Sequence, residues 1–319
     1  MTSDPPRLGL HLPHARGLVK ALERAGSIGA EVVQVFADNP TAWRRRAEPS
    51  EELPRFRERL ADLDIGPVAI HAPYLCNLAG GDERFRRPSI DLLASDLRSG
   101  PGFRARFVNV HVGSHLGAGV ETAAERVAEA VSCALEVTAD VAGRPTVVLE
   151  NSSGGGNGYG TTVEELAAIL CAIEARGVSA GDVAICLDTA HLWGAGYDLR
   201  SAAAVDELFA AFDDRIGLGR LAMIHLNDSR SELGSRADRH EHVGAGRIGE
   251  AGLGYVLRHP VLAGKPVYLE TPGMEDGYDG INLARARALL AGEPLAQLPP
   301  EAFNLPPRHG SRRRSSESD

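Results

Sequence analysis

The sequence is poor in aromatic residues (5%) and in positive charge. Its 34 Lys and Arg face 43 Asp and Glu, a formal net charge of −9. That balance excludes a protein that coats nucleic acid through a nonspecific basic surface. An enzyme of nucleic acid whose positive charge arrives as bound cations is not excluded. The four cysteines, Cys76, Cys133, Cys171 and Cys186, form no C-x-x-C pair, so no disulfide framework is expected and reduced, mostly buried thiols are. No apolar run approaches the roughly eighteen residues of a membrane helix. The opening MTSDPPRLGL lacks the apolar stretch of a signal peptide. The expectation is a soluble, cytoplasmic protein with no membrane partner.

What is present is a regular series of short apolar runs bounded by turn residues. They are LGLHL (8–12), VVQVFA (32–37), VAIHA (68–72), FVNVHV (107–112), TVVLEN (146–151), VAICLD (183–188), LAMIHL (221–226) and PVYLE (266–270). Helical patterns lie between them, such as 163–176 and 202–216, and Thr161 or Thr162 ahead of Glu164 and Glu165 offers a capping box for the first. Eight such alternations predict an α/β protein, a single (β/α)8 TIM barrel over residues 1–295. A doubly wound open sheet is the alternative, but no G-x-G-x-x-G follows the first run. The glycine run GGGNGYG (154–160) lacks the Lys-Ser/Thr of a phosphate loop and is expected to give backbone clearance. Residues 296–319, rich in Pro, Arg and Ser, read as a disordered tail in which Arg312 to Arg314 are solvated.

The strand ends carry the chemistry. Nearly every run finishes on a residue that can bind a metal: His11, His71, His111, Glu150, Asp188, His225 and Glu270. In a barrel these ends converge on one mouth, where unpaired carboxylates would repel one another and cations would relieve the cost. His191 follows Asp188 by about one helical turn, and Asp238-x-His240 can present a carboxylate and an imidazole together from an extended loop. His71, His111, Glu150, Asp188, His191, His225, Asp238, His240 and Glu270 make nine nitrogen and oxygen ligands with no cysteine. Such a set suits Zn²⁺ or Mn²⁺ in an open, catalytic arrangement, and it is too large for one ion.

These residues sit in segments that resemble the endonuclease IV (deoxyribonuclease IV) family of apurinic/apyrimidinic endonucleases. The segments are HAPYLCNLA (71–79), NVHVGSHLGAG (109–119), VVLENSSGGG (147–156), ICLDTAHLWGAGYDL (185–199), HLNDSRSELGSRADRHEHVGAGRIG (225–249) and YLET (268–271). The resemblance runs from about residue 8 to about 290. It implies a (β/α)8 barrel with three zinc ions at the C-terminal face of the strands, acting on double-stranded DNA with abasic sites; nothing in the sequence demands more than a monomer. His71 and His111 would hold the first ion, and Glu150 would bridge to the second. Asp188, His225 and Glu270 would complete the second, and His191, Asp238 and His240 the third. The implied reaction is hydrolysis 5′ to the abasic site, leaving a 3′-hydroxyl and a 5′-deoxyribose phosphate. Glu150 and Glu270 would act in it through water activated on the ions. The four carboxylates give the site about −4, and three divalent ions change this to about +2, so that only the metallated site attracts a phosphodiester.

Tyr74, Asn39, Trp43 and Arg44 are the expected DNA contacts: the resemblance makes Tyr74 the aromatic that fills the gap of the missing base, while Trp43-Arg44-Arg45-Arg46, after Asn39, reads either as an aromatic wedge beside phosphate contacts or as the solvated basic start of a helix. Thr41 stands where the family often has a basic side chain that enters the DNA, Ala72-Pro73 replaces Asp-Ser, and the first loop carries His14 and Arg16. His11, His115 and Asn151 are expected behind the ligands, with Asn151 orienting Glu150. Glu241 and His242 are expected either to stand by or to sit behind the ligands. A metal-dependent sugar isomerase or epimerase is the alternative function, but one or two ions would leave His191, Asp238 and His240 unexplained. A DNA-binding barrel without activity would not need nine intact ligands.

Overall fold

The computed structural model describes residues 4–13 and 17–305. Ten strands occur in chain order: β1 (Arg7–His11), β2 (Val32–Val35), β3 (Val68–His71), β4 (Ala105–His111), β5 (Thr146–Glu150), β6 (Val183–Asp188), β7 (Leu221–His225), β8 (Asp228–Ser229), β9 (His240–Glu241) and β10 (Pro266–Leu269). Eight of them close a barrel in the order β1-β10-β7-β6-β5-β4-β3-β2, every pair parallel. Each of the eight predicted runs is a barrel strand, with its ends within two residues of those expected. The open sheet is excluded, because the ring closes and every one of the eight strands has a partner on both sides.

The helices form the outer layer: α1 (Leu18–Ser27), α2 (Leu53–Asp62), α3 (Glu83–Ser99), α4 (Ala123–Glu136), α5 (Val163–Ala175), α6 (Thr189–Ala195), α7 (Ala202–Arg215), α8 (Gly249–Arg258) and α9 (Tyr278–Ala291). Thr162 caps α5 by accepting from the Glu165 backbone N–H, while the Glu165 carboxylate reaches back to the N–H and hydroxyl of Thr161. Both threonines proposed for that box therefore take part. The start of α1 has no cap of its own. The Glu52 carboxylate accepts from Leu18 and Val19 N–H instead, tying α1 to the approach of α2.

Strand alternation sorts the side chains into two cores. Leu8, Leu10, Val33, Val35, Val108, Val110, Val147 and Leu149 belong to the large cluster shared with the helices. Val32, Ala69, Phe107, Val148, Cys186, Met223 and Tyr268 form a second cluster that plugs the barrel interior. Full burial of an apolar side chain of this size contributes roughly 1.5–3 kcal/mol. One pleat beyond each plug residue, on the same side of its strand, stands a polar group: Gln34, His71, Asn109, Glu150, Asp188, His225 and Glu270. The plug is thus the floor of the mouth.

Two expectations change. The ordered chain runs past 295: Pro300–Asn304 form a 3₁₀ turn with Ala302 buried, and residues 306–319, including Arg312 to Arg314, lie outside the described residues. The glycine run serves loop packing: a Cβ on Gly155 would stand 2.8 Å from the Arg236 carbonyl oxygen, in the loop that carries Asp238.

Gly9 is where β1 and β2 come closest, since a Cβ there would fall 1.7 Å from the Val32 carbonyl oxygen, a backbone atom with no room to yield. Gly9→Ala is expected to cost more than about 3 kcal/mol in denaturant unfolding. Gly219→Ala, with nothing within 4 Å, should stay within about 1 kcal/mol of the parent.

Candidate metal centre

The barrel register places the ligand candidates side by side. His111 pairs with Glu150 across β4–β5, and Asp188 with His225 across β6–β7. Asp188 ends β6 and is also the N-cap of α6, its Oδ1 accepting from the His191 N–H at 2.8 Å. That cap explains the D-x-x-H spacing, because a residue three past the cap is turned back beside it. The remaining pair arrives by a device the sequence did not announce. β8 and β9 form a short antiparallel ladder, Asp228 opposite Glu241 and Ser229 opposite His240, which folds the long loop back over the mouth. The Asp228 carboxylate locks that fold by accepting from the N–H groups of Gly246, Ile248 and Gly249.

Three groups of potential ligands result: His71, His111 and Glu150; Glu150, Asp188, His225 and Glu270; and Asp188, His191 and His240, with the ligand atoms of each group within 4.8 Å of one another. Asp238 joins the last, its Oδ1 3.0 Å from His240 Nε2 and its Oδ2 3.4 Å from His191 Nε2. All nine predicted ligands therefore meet in one place, and Glu150 stands between the first group and the second.

The imidazoles are oriented for this. His71 Nδ1 donates to Ala72 O at 2.6 Å, His191 Nδ1 to Asn151 O at 2.9 Å, His240 Nδ1 to Glu270 O at 2.9 Å and His225 Nε2 to Gln34 Oε1 at 3.1 Å. Each acceptor is a carbonyl oxygen, so the nitrogen facing it carries a proton. The opposite ring nitrogen is turned into the mouth, where a metal ion would take it once its own proton is lost. His225 Nδ1 stands 3.4 Å from Glu150 Oε1 and 3.4 Å from Glu270 Oε2. Buried there without a hydrogen-bond partner are His225 Nδ1, His240 Nε2 and Glu150 Oε1. A buried polar atom without a hydrogen-bond partner is costly, and resident cations would take all three of these atoms among the candidate ligands. The donor set and its geometry fit divalent metal ions.

Three buried amides brace the carboxylates. Asn109 Nδ2 donates to Glu150 Oε2 at 2.5 Å, Asn227 Nδ2 to Asp188 Oδ2 at 2.6 Å, and Gln34 Nε2 to Glu270 Oε1 at 2.7 Å. The sequence reading missed all three. Their signal was available: Asn109 and Asn227 each lie two residues from a ligand histidine along an extended segment, and Gln34 pairs with His11 in the sheet register. His11 is where it was expected, its Nδ1 3.1 Å from Glu270 Oε1. The role given to Asn151 is corrected. It accepts from the Asp188 N–H at 2.7 Å and from His191, and the Glu150 carboxylate is held by Asn109. His115 stands outside the ligand groups, with its Nδ1 buried and unpaired. His242 is no bystander: it is fully buried, accepts from Asn282 Nδ2 and donates to Ala302 O, bolting the 3₁₀ turn to the loop of His240.

At the rim, Tyr74 is 60% exposed and packs edge-on against Phe36, 5.3 Å between ring centres, and against His71 at 5.7 Å. Trp43 and Arg44 are exposed on the loop after β2, while Asn39 uses its side-chain oxygen on its own turn, accepting from Thr41. His14 and Arg16 lie outside the described residues.

The electrostatics of the metal-free site are those of interlocked ion pairs. Burial alone would raise Glu150, Glu270 and Asp238, but the facing histidines hold all three well below the usual carboxylate range. Burial likewise would lower His240, yet Asp238 beside it pushes it up to about 9. His191 and His225 are raised in the same manner, whereas burial dominates at His111 and His11 and lowers both.

Two outcomes follow. A metal ion must displace the proton that His240 keeps up to about pH 9, so metal affinity should fall as pH drops from 9 to 6. Calorimetric titration in buffers of different ionisation enthalpy should register proton release on binding. Asn109→Ala or Gln34→Leu, which remove a brace and no ligand, should weaken metal affinity roughly 10–100-fold while the circular dichroism spectrum is kept.

Comparison with known proteins agrees with this geometry. The family model described as "Xylose isomerase-like TIM barrel" matches residues 22–292. A protein named "Probable endonuclease 4" from Methanoculleus marisnigri is 39% identical over 282 residues, 88% of this chain and 98% of the relative. One of the same name from Halobacterium salinarum is 37% identical over 89% of this chain and 100% of its own. The crystal structure of endonuclease IV from Thermus thermophilus superposes with a TM-score of 0.77 at 36% identity, covering 90% of this chain and all 100% of that one. A D-tagatose 3-epimerase-like protein shares the fold alone, at 16% identity and a TM-score of 0.65. With this identity spanning the whole length of its relatives and all nine ligand candidates gathered at the barrel mouth, the chain belongs to the endonuclease IV family.

Proposed function

We propose that the protein is a metal-dependent DNA-repair endonuclease that hydrolyses the phosphodiester 5′ to abasic sites in duplex DNA, leaving a 3′-hydroxyl and a 5′-deoxyribose phosphate. The observation that carries it is the third ligand group: His191, Asp238 and His240 extend the centre beyond the one or two ions a sugar epimerase uses. We assign three zinc ions, with manganese as a substitute at one or more of the sites. His71 and His111 would hold the first, Glu150 would bridge to the second with Asp188, His225 and Glu270, and His191, Asp238 and His240 would hold the third. Bound there, the ions would supply Lewis acidity, acidifying water and neutralising the charge that gathers on a phosphate under attack. All nine ligands come from one chain, so a monomer suffices. A DNA substrate places the protein at work in the cytoplasm, at the nucleoid while bound; among the described residues no helix is long and apolar enough to cross a membrane.

The chain's own residues do the positioning. Glu150 and Glu270, held ionised by His225 between them, supply the negative charge on which the centre is built. Gln34 and Asn109 fix one oxygen of each carboxylate and leave the other directed at the cation positions. The exposed Tyr74 ring stands beside His71, where it can occupy the space of a missing base, and Trp43 and Arg44 offer an apolar wedge and a phosphate contact beside it.

The decisive assay is incision of a duplex bearing one tetrahydrofuran abasic analogue, which cannot undergo β-elimination. A hydrolytic nick 5′ to the analogue is expected, lost after chelation and restored by zinc, with close to three metal ions per chain by mass spectrometry. No incision by the metal-loaded protein would overturn the reading. His225→Ala and Glu270→Gln should each lower turnover by more than about 100-fold while the barrel stays folded; near-normal turnover by either would remove that residue from the ligand set.

A further inference from the structure

The basic run Arg44-Arg45-Arg46 does not act as one surface. Arg46 pairs with Asp38 of its own loop, its guanidinium and its backbone N–H both meeting the Asp38 carboxylate. Arg45 turns inward and meets Asp96, on α3, at 2.6 Å. Asp96 is 1% exposed and Arg45 14%, so the pair is buried where water screens it little. Arg44 and Trp43, the two residues before it, are exposed, and Arg46 is exposed with its guanidinium engaged by Asp38.

The loop is anchored at its ends, where Phe36 packs against His11, His71 and Tyr74 and Glu52 accepts from Leu18 and Val19 N–H; between them it has little else to hold it. A cavity of about 290 Å³ lies between it and α3, bordered by Asp38, Arg45, Arg46, Ser95, Asp96 and Arg98. A second, of about 130 Å³, lies on its other flank, and Arg46 borders both. Where an apolar contact would pack the loop down, there is open space. Among the described residues, the hydrogen bonds of Asp38, Asn39, Thr41 and Arg46 all close within the loop, and Arg45–Asp96 is the bond that ties it to a distant element. Asp96 in turn has no other recorded ion-pair partner, and its Oδ2 makes no hydrogen bond. Burial pushes the Asp96 carboxyl up to about 7, and the facing guanidinium, at 2.6 Å, draws it only part of the way back.

We propose that Asp96 is a positioning residue for DNA recognition: by holding Arg45 from α3, it sets where Trp43 and Arg44 stand beside the metal centre. Asp96 touches neither DNA nor metal. It acts by keeping a thinly packed loop in its binding conformation, so that DNA does not have to order the loop on arrival. This rests on the endonuclease reading, and on Trp43 and Arg44 as its DNA contacts.

The two tryptophans make the test direct. Trp193 is 2% exposed and fixed by its Nε1 to Ser231 O, whereas Trp43 is 41% exposed, so iodide-quenchable emission reports on Trp43. In Asp96→Asn and in Arg45→Met, both metal-loaded and full length, the Trp43 anisotropy should fall and its quenching rise in the absence of DNA. With the tetrahydrofuran duplex, KM should rise roughly tenfold and kcat stay within about twofold, the pattern of lost binding and intact chemistry. The double variant should be no worse than the weaker single one, and Arg45→Lys should recover most of the affinity. Should one variant fold poorly by circular dichroism, the other carries the test, since each removes one end of the same bond. Unchanged KM, or a raised KM with unchanged Trp43 anisotropy, overturns the proposal. Absence of incision by the parent protein overturns the endonuclease reading instead, and the two failures are told apart by the parent's own activity.

Discussion

Four carboxylates converge in the mouth of one barrel, and the cost of holding them there shapes everything around it. Glu150, Asp188 and Glu270 are drawn from three strand ends and Asp238 from a loop. Left to themselves, these charges would repel, and the strands that carry them would not close so tightly. The protein answers in layers. Five histidines face the carboxylates, three buried amides tie one oxygen of each strand-end acid, and the atoms still unpaired are those a divalent cation takes. The acidic surface and the DNA substrate are reconciled in the same way, because the cations that stabilise the centre also attract the phosphate.

The barrel supplies this centre through the simplest property of a strand, its two-residue repeat. Each strand sends one apolar side chain into the barrel floor and, one pleat later, one polar side chain into the mouth. A one-residue slip in any strand would bury its ligand among the helices. The close approach at Gly9 and the packed interior from Val32 to Tyr268 resist such a slip, so the apolar floor is as necessary to the chemistry as the ligands above it. Loops then add what the strands cannot. The β8–β9 ladder, the Asp228 carboxylate and the His242 bond to Ala302 all hold one segment, the one that carries Asp238 and His240 over the opening.

Much of this was legible beforehand, for definable reasons. Parallel strands announce themselves by dense Val, Ile and Leu between turn residues, and metal ligands by imidazoles and acids at their ends. The resemblance of segments such as HLNDSRSELGSRADRHEHVG then implied a division of those candidates among three ions. The amides were overlooked because Asn and Gln are common in loops, and nothing in a linear reading says that Gln34 faces Glu270 across the barrel. Asn151 was given the wrong neighbour because adjacency in sequence was taken for adjacency in space. In a strand, successive side chains point to opposite faces, so the neighbour of Glu150 on its own face is Asn109 of the next strand. The tail was begun ten residues early because a Pro-rich stretch looks unstructured until its backbone carbonyl meets a buried histidine.

By itself, the sequence determined the barrel, the family and nine candidate ligands, since periodicity and residue type are local properties that survive without coordinates. Only the tertiary structure decided which amide braces which acid and which ring nitrogen faces the mouth. It also decided that, of three consecutive arginines, one turns inward to Asp96, one pairs within its loop and one stays at the surface. Those are matters of direction and distance between residues far apart in the chain, and they are fixed only when the sheet closes and the helices pack against it.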